Sequence, residues 1–325
     1  MSPAITRRAA LAAGLATPFL GPAARAQAFP NRPLRMIVPY AAGGSADASA
    51  RQLAEAMAGP LGQPVVVENR PGGAATIGAQ AVARAAADGH TLLYGTPAPQ
   101  IISPHLMRSV PYDPIKDFAP VSGYKRAPNL LVVHPSVPAR NLAELIALAK
   151  ARPGTLTFAS SGVGSSSHLA GELLKYMAQI DITHVPYRGT SAAMTDLLGG
   201  TVSMALDTLS VLLPQARDGR LRALGVTTPE RSKLAPEIPA IAETLAGFDA
   251  APFNYIAATG GTPAPVVARL NEVIVGILRR PDYLARMEEL GEEATPSSPE
   301  ALAATIRAES ARWKQVIEAA GIRVE

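Results

Sequence analysis

The chain has 325 residues, 48% of them hydrophobic and 17% charged, with no cysteine and a formal net charge of +4. The missing cysteines exclude disulfides, thiolate metal sites and thiol nucleophiles, and no run of lysine and arginine argues for nucleic acid or an anionic membrane. A chain of this length exceeds what one hydrophobic core usually supports, so two domains are expected.

Residues 1–26 read as an export signal. Arg7 and Arg8 supply a basic start, and residues 9–20 form an apolar run too short to span a bilayer. Ala24-Arg25-Ala26 matches an A-x-A cleavage site, with Ala26-Gln27-Ala28 as a second candidate. The paired arginines permit twin-arginine export, ordinary secretion staying open, and the expected destination is a bacterial periplasm. Without Arg7, Arg8 and Arg25, 27 basic residues face 26 acidic ones, a net charge of +1. The basic balance is therefore partly the signal.

Beyond it, apolar runs of strand length alternate with amphipathic runs of helix length, the pattern of an α/β protein. Strands are expected at 34–38, 65–68, 91–94, 130–134, 156–159, 182–186, 202–207, 221–227 and 254–258. Most are continuously apolar, as parallel strands covered on both faces should be. A helix over 48–57 follows the first strand. Asn141 with Glu144 forms a capping-box start for a helix at 142–150. Thr262-Pro263 opens another, with Val266, Val267, Leu270, Val273, Ile274, Ile277 and Leu278 on one stripe. Ser298-Pro299 opens the last helix, which runs to about residue 320 before Gly321. Residues 121–135 and 248–261 look like two crossings between domains. Domain 1 is placed at 29–124 plus 251–325 and domain 2 at 125–250, with a hinge that permits closure around a ligand.

The candidate site residues lie where strands end and helices begin. In Tyr40-Ala41-Ala42-Gly43-Gly44-Ser45-Ala46-Asp47, the glycines leave room for close backbone approach, and the first helical N–H groups attract anions. G-x-G-x-x-G and Gly-Lys-Ser/Thr are both absent, which excludes a dinucleotide fingerprint and a P-loop. The plainer reading is a tight connection with Asp47 as N-cap. A second such turn, Ser160-Ser161-Gly162-Val163-Gly164-Ser165-Ser166-Ser167-His168, adds hydroxyls able to complete a polar pocket. His168 is as well suited to local backbone groups as to a ligand. Arg188, in a third turn with Gly189, suits a bidentate carboxylate or a structural ion pair equally. Asp207 ends a strand, where ligand crevices form, or caps the segment after it. The turn holding Ala98 should lie beside 41–47 on the same sheet edge. Residues 67–73 read as structural, with Arg70 pairing locally. Histidines 90, 105, 134, 168 and 184 show no metal-binding spacing, so neither metal nor cofactor is expected.

Taken together, these residues resemble the extracytoplasmic Bug receptors of tripartite tricarboxylate transporters. The matching blocks include residues 33–47 with Arg51, Leu61-Gly62-Gln63-Pro64-Val65-Val66-Val67-Glu68-Asn69-Arg70-Pro71-Gly72-Gly73, and Ala87-Asp88-Gly89-His90. Pro111-Tyr112-Asp113-Pro114, residues 160–172, Val185-Pro186-Tyr187-Arg188-Gly189, Asp196-Leu197-Leu198-Gly199-Gly200 and Glu237-Ile238-Pro239 continue the series in order. The resemblance implies a type II periplasmic binding protein, its two α/β domains joined by a two-crossing hinge with the ligand cleft between them. It implies that Ala42, Gly43, Gly44, Ser45 and Asp47 hold a ligand carboxylate, often through waters. Ser160, Ser161, Gly164, Ser165 and Ser166 would form the opposing wall, with His168, Arg188, Gly189 and Ala98 nearby and Asp207 at a strand end. Ala46, Leu206 and Ser103 stand where the family often has threonine, phenylalanine and asparagine, so the distal half of the ligand should differ.

The expected function is a monomeric receptor, not an enzyme. Its ligand would be a di- or tricarboxylate, an acidic amino acid or an aromatic acid, delivered to the membrane subunits of a tripartite tricarboxylate transporter. The alternatives are a ligand-presenting sensor subunit and a hydrolase using Ser165 or Ser166 with His168.

Overall fold

A computed structural model describes residues 29–43, 45–187 and 190–321. The export signal expected at 1–26 and the site residues Gly44, Arg188 and Gly189 lie outside the described residues. The chain first lays down β1 (Leu34–Val38), β2 (Val65–Asn69), β3 (Thr91–Gly95) and β4 (Phe118–Arg126). It continues through β5 (Asn129–Val133), β6 (Thr157–Ser160), β7 (Thr183–Pro186), β8 (Met204–Thr208) and β9 (Arg222–Val226), and returns for β10 (Phe253–Thr259) and β11 (Glu293–Ala294). These make two mixed sheets, ordered β11-β4-β10-β3-β1-β2 and β7-β6-β8-β5-β9.

The helices of the early part are α1 (Ser45–Leu61), α2 (Thr76–Ala83), α3 (Ser103–Leu106) and α4 (Leu142–Ala151). Then come α5 (Ser166–Ala178), α6 (Thr190–Leu198), α7 (Leu209–Arg217), α8 (Ala264–Ile277), α9 (Pro281–Glu289) and α10 (Pro299–Ala320). The caps read from the sequence are in use. Asn141 accepts the Glu144 N–H at 2.8 Å and Ser298 accepts that of Ala301 at 3.2 Å, while Gly321 ends α10 at φ 64°. The Glu144 carboxylate closes its half of the box on the Arg140 N–H, at 2.7 Å.

The expectation of mostly parallel strands holds for one half of each sheet. β1 runs parallel to β2 and β3, and β6 runs parallel to β7 and β8. β10 is antiparallel to β3 and β4, and β5 is antiparallel to β8 and β9. An apolar run carries no sign of direction, and a strand that returns straight through a crossing pairs antiparallel. The first crossing, expected from 121, is entered along β4, which starts earlier, at Phe118. The chain passes between the sheets twice, and the passages lie side by side: Ala127 N–H donates to Pro252 O at 3.1 Å, and Arg126 pairs with Asp249 at 2.9 Å.

Three cores hold the layers. One packs Leu34, Met36, Leu53 and Met57 with Leu270 and Ile274, between the first sheet and α1 and α8. Another packs Leu130, Leu197, Leu209 and Leu212 on the second sheet. The third spans both sheets, joining Ile37 and Leu93 to Leu131, Phe158 and Leu206, with Trp313, Val316 and Ile317 of α10 among its members. α10 packs on β4, on residues 98–102 and on α5. At the end of β4, a buried ion pair joins Lys125 to Glu292, and Lys125 Nζ donates to Ser49 Oγ at 2.6 Å. Neighbouring Tyr124 places its hydroxyl 3.3 Å from the Ser49 carbonyl, so two consecutive residues of β4 hold α1.

Candidate ligand-binding site

Parallel strands of both sheets deliver the candidate residues to their C-terminal ends. On the first sheet, three strand ends are tied together. Asn69 donates to Tyr40 O at 3.1 Å, Arg51 donates to Asn69 Oδ1 at 3.1 Å, and the Tyr40 and Thr96 hydroxyls meet at 2.7 Å. Ala98, half-buried, begins a wide turn over Ala98–Ile102 directly after this contact, beside 41–47 as its position in sequence suggests. Arg70 pairs with Glu68 at 2.6 Å.

α1 begins at Ser45, so Asp47 is its third residue and not its N-cap. The Asp47 carboxylate reaches back to accept the Gly43 N–H at 2.9 Å, and Arg51 stands 3.0 Å from its other oxygen. Arg51 first, and the Gly43 N–H second, hold the carboxyl down at about 2. Asp47 is 5% exposed. It bonds to the turn from within. Gly43, at φ 82°, takes the left-handed conformation that glycine tolerates best. Ala42 and Gly43 are exposed. Since Gly43 N–H is occupied, the anion-seeking donors here are the first N–H groups of α1 itself, from Ser45 onward.

On the second sheet, the turn after β6 is bonded to itself almost throughout. Ser161 N–H donates to Ser167 Oγ at 2.9 Å, Gly164 N–H to His168 Nδ1 at 3.0 Å, and Ser165 Oγ to Gly162 O at 2.6 Å. Ser165 is the N-cap of α5 and accepts the His168 N–H. The N–H groups of Ser166 and Ser167 belong to the first helical turn, where the helix supplies no acceptor of its own. Ser166 is exposed, while Ser161, Gly164 and Ser165 are half-buried. Ser160 is 0% exposed, its hydroxyl 2.6 Å from His184 Nε2. His168 is 4% exposed. Both are enclosed and bonded to the turn, for His168 the local role that the sequence left open beside a ligand contact. Burial, followed by the His184 ring and Lys175, lowers His168 to about 4.

His184 is the residue that sequence reasoning missed. Its ring stacks on His168 with centroids 3.9 Å apart, and on Phe158 at 4.9 Å. Asp207 closes β8. It accepts from Thr208 N–H at 2.7 Å and from Thr190 Oγ1 at 3.1 Å, and burial raises its pKa. The two sheets' C-terminal edges approach each other here: a β-carbon placed on Gly164 would sit 3.5 Å from Leu106 Cδ1, in the segment that follows β3. Among the described residues, no cluster of three histidine, aspartate or glutamate side chains could hold a metal, and no helix is long and apolar enough to cross a membrane.

The family model described as "Tripartite tricarboxylate transporter family receptor" matches residues 49–322. Protein BugT of Bordetella pertussis is 36% identical over 315 residues, covering 96% of this chain and 95% of BugT. Among solved structures, R. palustris Rpa4515 with adipate is 36% identical with a TM-score of 0.76, covering 91% of this chain and 99% of its own. MatC from Rhodopseudomonas palustris, with bound malate, is 33% identical with a TM-score of 0.72, covering 89% of this chain and 100% of its own.

Proposed function

Because the chain belongs to the receptor family of tripartite tricarboxylate transporters, we propose that it is a periplasmic solute receptor that captures a small carboxylate and delivers it to the membrane subunits of such a transporter. The observation that supports this best is the pair of helix starts, α1 and α5, carried on sheet edges that come together at Gly164 and Leu106. Each start offers backbone N–H groups to an anion, helped by the helix dipole. One carboxylate would rest on the start of α1 beside Ala42, Gly43, Gly44 and Ser45. The rest of the ligand would face Ser161, Gly164, Ser165 and Ser166, with Ala98, Arg188, Gly189 and Asp207 around it. Two helix starts suit a dicarboxylate, and the related structures with adipate and malate support that class. Closure would occur about the paired crossings, in a monomer.

Catalysis by serine is disfavoured by geometry. A nucleophile needs a base within hydrogen-bond reach and a path for substrate. Ser165 caps a helix, and His168 gives Nδ1 to Gly164. Ser160 does touch an imidazole, but it is fully enclosed.

A thermal-shift screen of adipate, malate, glutamate and nicotinate against neutral sugars tests the reading. An acid at ~100 times its Kd should add about 2.7 kcal/mol of stability. If sugars raise the melting temperature and no acid does, the proposed function is wrong.

A further inference from the structure

Two imidazoles underlie the turn after β6, His168 buried and His184 half-buried. The turn contains two left-handed glycines, Gly162 at φ 138° and Gly164 at φ 78°. Such a segment is intrinsically free to move. Here each end hangs on a ring nitrogen. Gly164 N–H donates to His168 Nδ1 at 3.0 Å. Ser160 Oγ meets His184 Nε2 at 2.6 Å and lies 3.2 Å from both the N–H and the carbonyl of Gly162. The rings lie 3.9 Å apart and tilted by 17°, with Phe158 stacked on His184.

The direction of the Gly164 N–H fixes the state of His168. A backbone N–H needs an acceptor, so Nδ1 is unprotonated and the ring hydrogen sits on Nε2. That nitrogen faces Glu172, 3.8 Å away, whose carboxylate is already held by Lys175 at 3.0 Å. If this buried position only needed filling, an apolar side chain would do so without the cost of burying a polar ring. What the imidazole adds is an acceptor for the half-buried Gly164 N–H, while the N–H groups of Ser161 and Gly162 find theirs on the hydroxyls of Ser167 and Ser160.

We propose that His168 is a positioning residue for ligand capture: its Nδ1 holds Gly164, and through it the left-handed turn, so that the exposed Ser166 hydroxyl and the N–H groups of Ser166 and Ser167 stand ready before a ligand arrives. This rests on the reading that the turn receives the ligand. Its effect on affinity is preorganisation, since a turn held beforehand does not have to be ordered on binding.

The test uses two variants of the full mature protein. In His168→Asn, the side-chain oxygen stands on the γ-carbon, where Nδ1 stood, and can accept the Gly164 N–H. In His168→Gln, the amide lies one bond further out, near the Nε2 position, and cannot. Both lose the aromatic stack, so both should lose similar thermal stability. Adipate titrations are expected to show affinity lowered at least tenfold in His168→Gln and recovered to within about threefold of wild type in His168→Asn. Hydrogen exchange at the Gly164 amide of the unliganded protein should accelerate only in His168→Gln. Equal affinities and equal Gly164 exchange in the two variants overturn the proposal alone. A wild-type protein that takes none of adipate, malate, glutamate and nicotinate removes the reading beneath it and the proposal with it, and where another of these acids binds instead of adipate the titrations use that acid.

Discussion

Lowering the pH from 7 to 4 is expected to cost the folded protein roughly 3 kcal/mol through His168. In the unfolded chain this imidazole takes a proton near 6.5; in the folded protein, burial and its neighbours lower it to about 4. Between those values the unfolded state holds a proton that the folded state refuses. The stabilisation is therefore complete above pH 6.5 and is lost as the pH falls towards 4. Carboxylates do not confuse this window. Asp47 and Glu243, held at about 2 by Arg51 and Arg231, begin to cost stability below about pH 5, where their unfolded counterparts start to protonate, and do so equally in wild type and variant. Asp207, raised by burial, acts in the opposite direction, but equally in wild type and variant. The assay is urea unfolding followed by the fluorescence of Trp313, the single tryptophan, at pH 7, 6, 5 and 4.5, for wild type and His168→Asn. Losing the stack shifts the variant's curve downward at every pH; losing the titrating group flattens it. Two parallel curves across this range would refute the assignment.

Gly171→Ala tests the same region by volume. A β-carbon there would lie 2.2 Å from Phe158 Cε2, so overpacking of about 1–3 kcal/mol should outweigh the ~1 kcal/mol that alanine normally gains over glycine in a helix. A melting temperature at or above wild type would count against it. Lys125→Met strands Glu292 without its buried partner and should cost about 3–5 kcal/mol in denaturant unfolding, whereas Lys125→Met with Glu292→Leu should recover most of the loss. A double variant as unstable as the single one would show that the ion pair is not the source.

The positions of strands and helices were legible because burial on both faces leaves unbroken apolar runs, and because Asn141, Ser298 and Pro263 mark helix starts by their own chemistry. Strand direction was not legible: Asn129–Val133 and Phe253–Thr259 read like their parallel neighbours and run against them. The turns were found for the right reason, glycine and serine between a strand and a helix. What sequence could not divide was the labour within them. Asp47, Ser160 and His168 are polar groups beside turns proposed to take a ligand, and a polar group there bonds either to the turn or to its guest. Only the reach of Asp47 back to Gly43, and the ring positions, separate the two. His184 gave no signal of its own. It sits in a short strand, and only the register placing it opposite Phe158 brings it under His168.

α10 leans on β4, on residues 98–102 and on α5 at once, so the molecule carries a strut bridging its halves beside the paired crossings. A wide gape would have to pry that strut loose, at about 1.5–3 kcal/mol for each large apolar side chain returned to water. Sliding it by a fraction of a helical turn keeps those side chains covered. If the halves pivot about the paired crossings as proposed, the motion that α10 leaves them is a short one with a built-in stop, and a solute would enter through a slit rather than an open door.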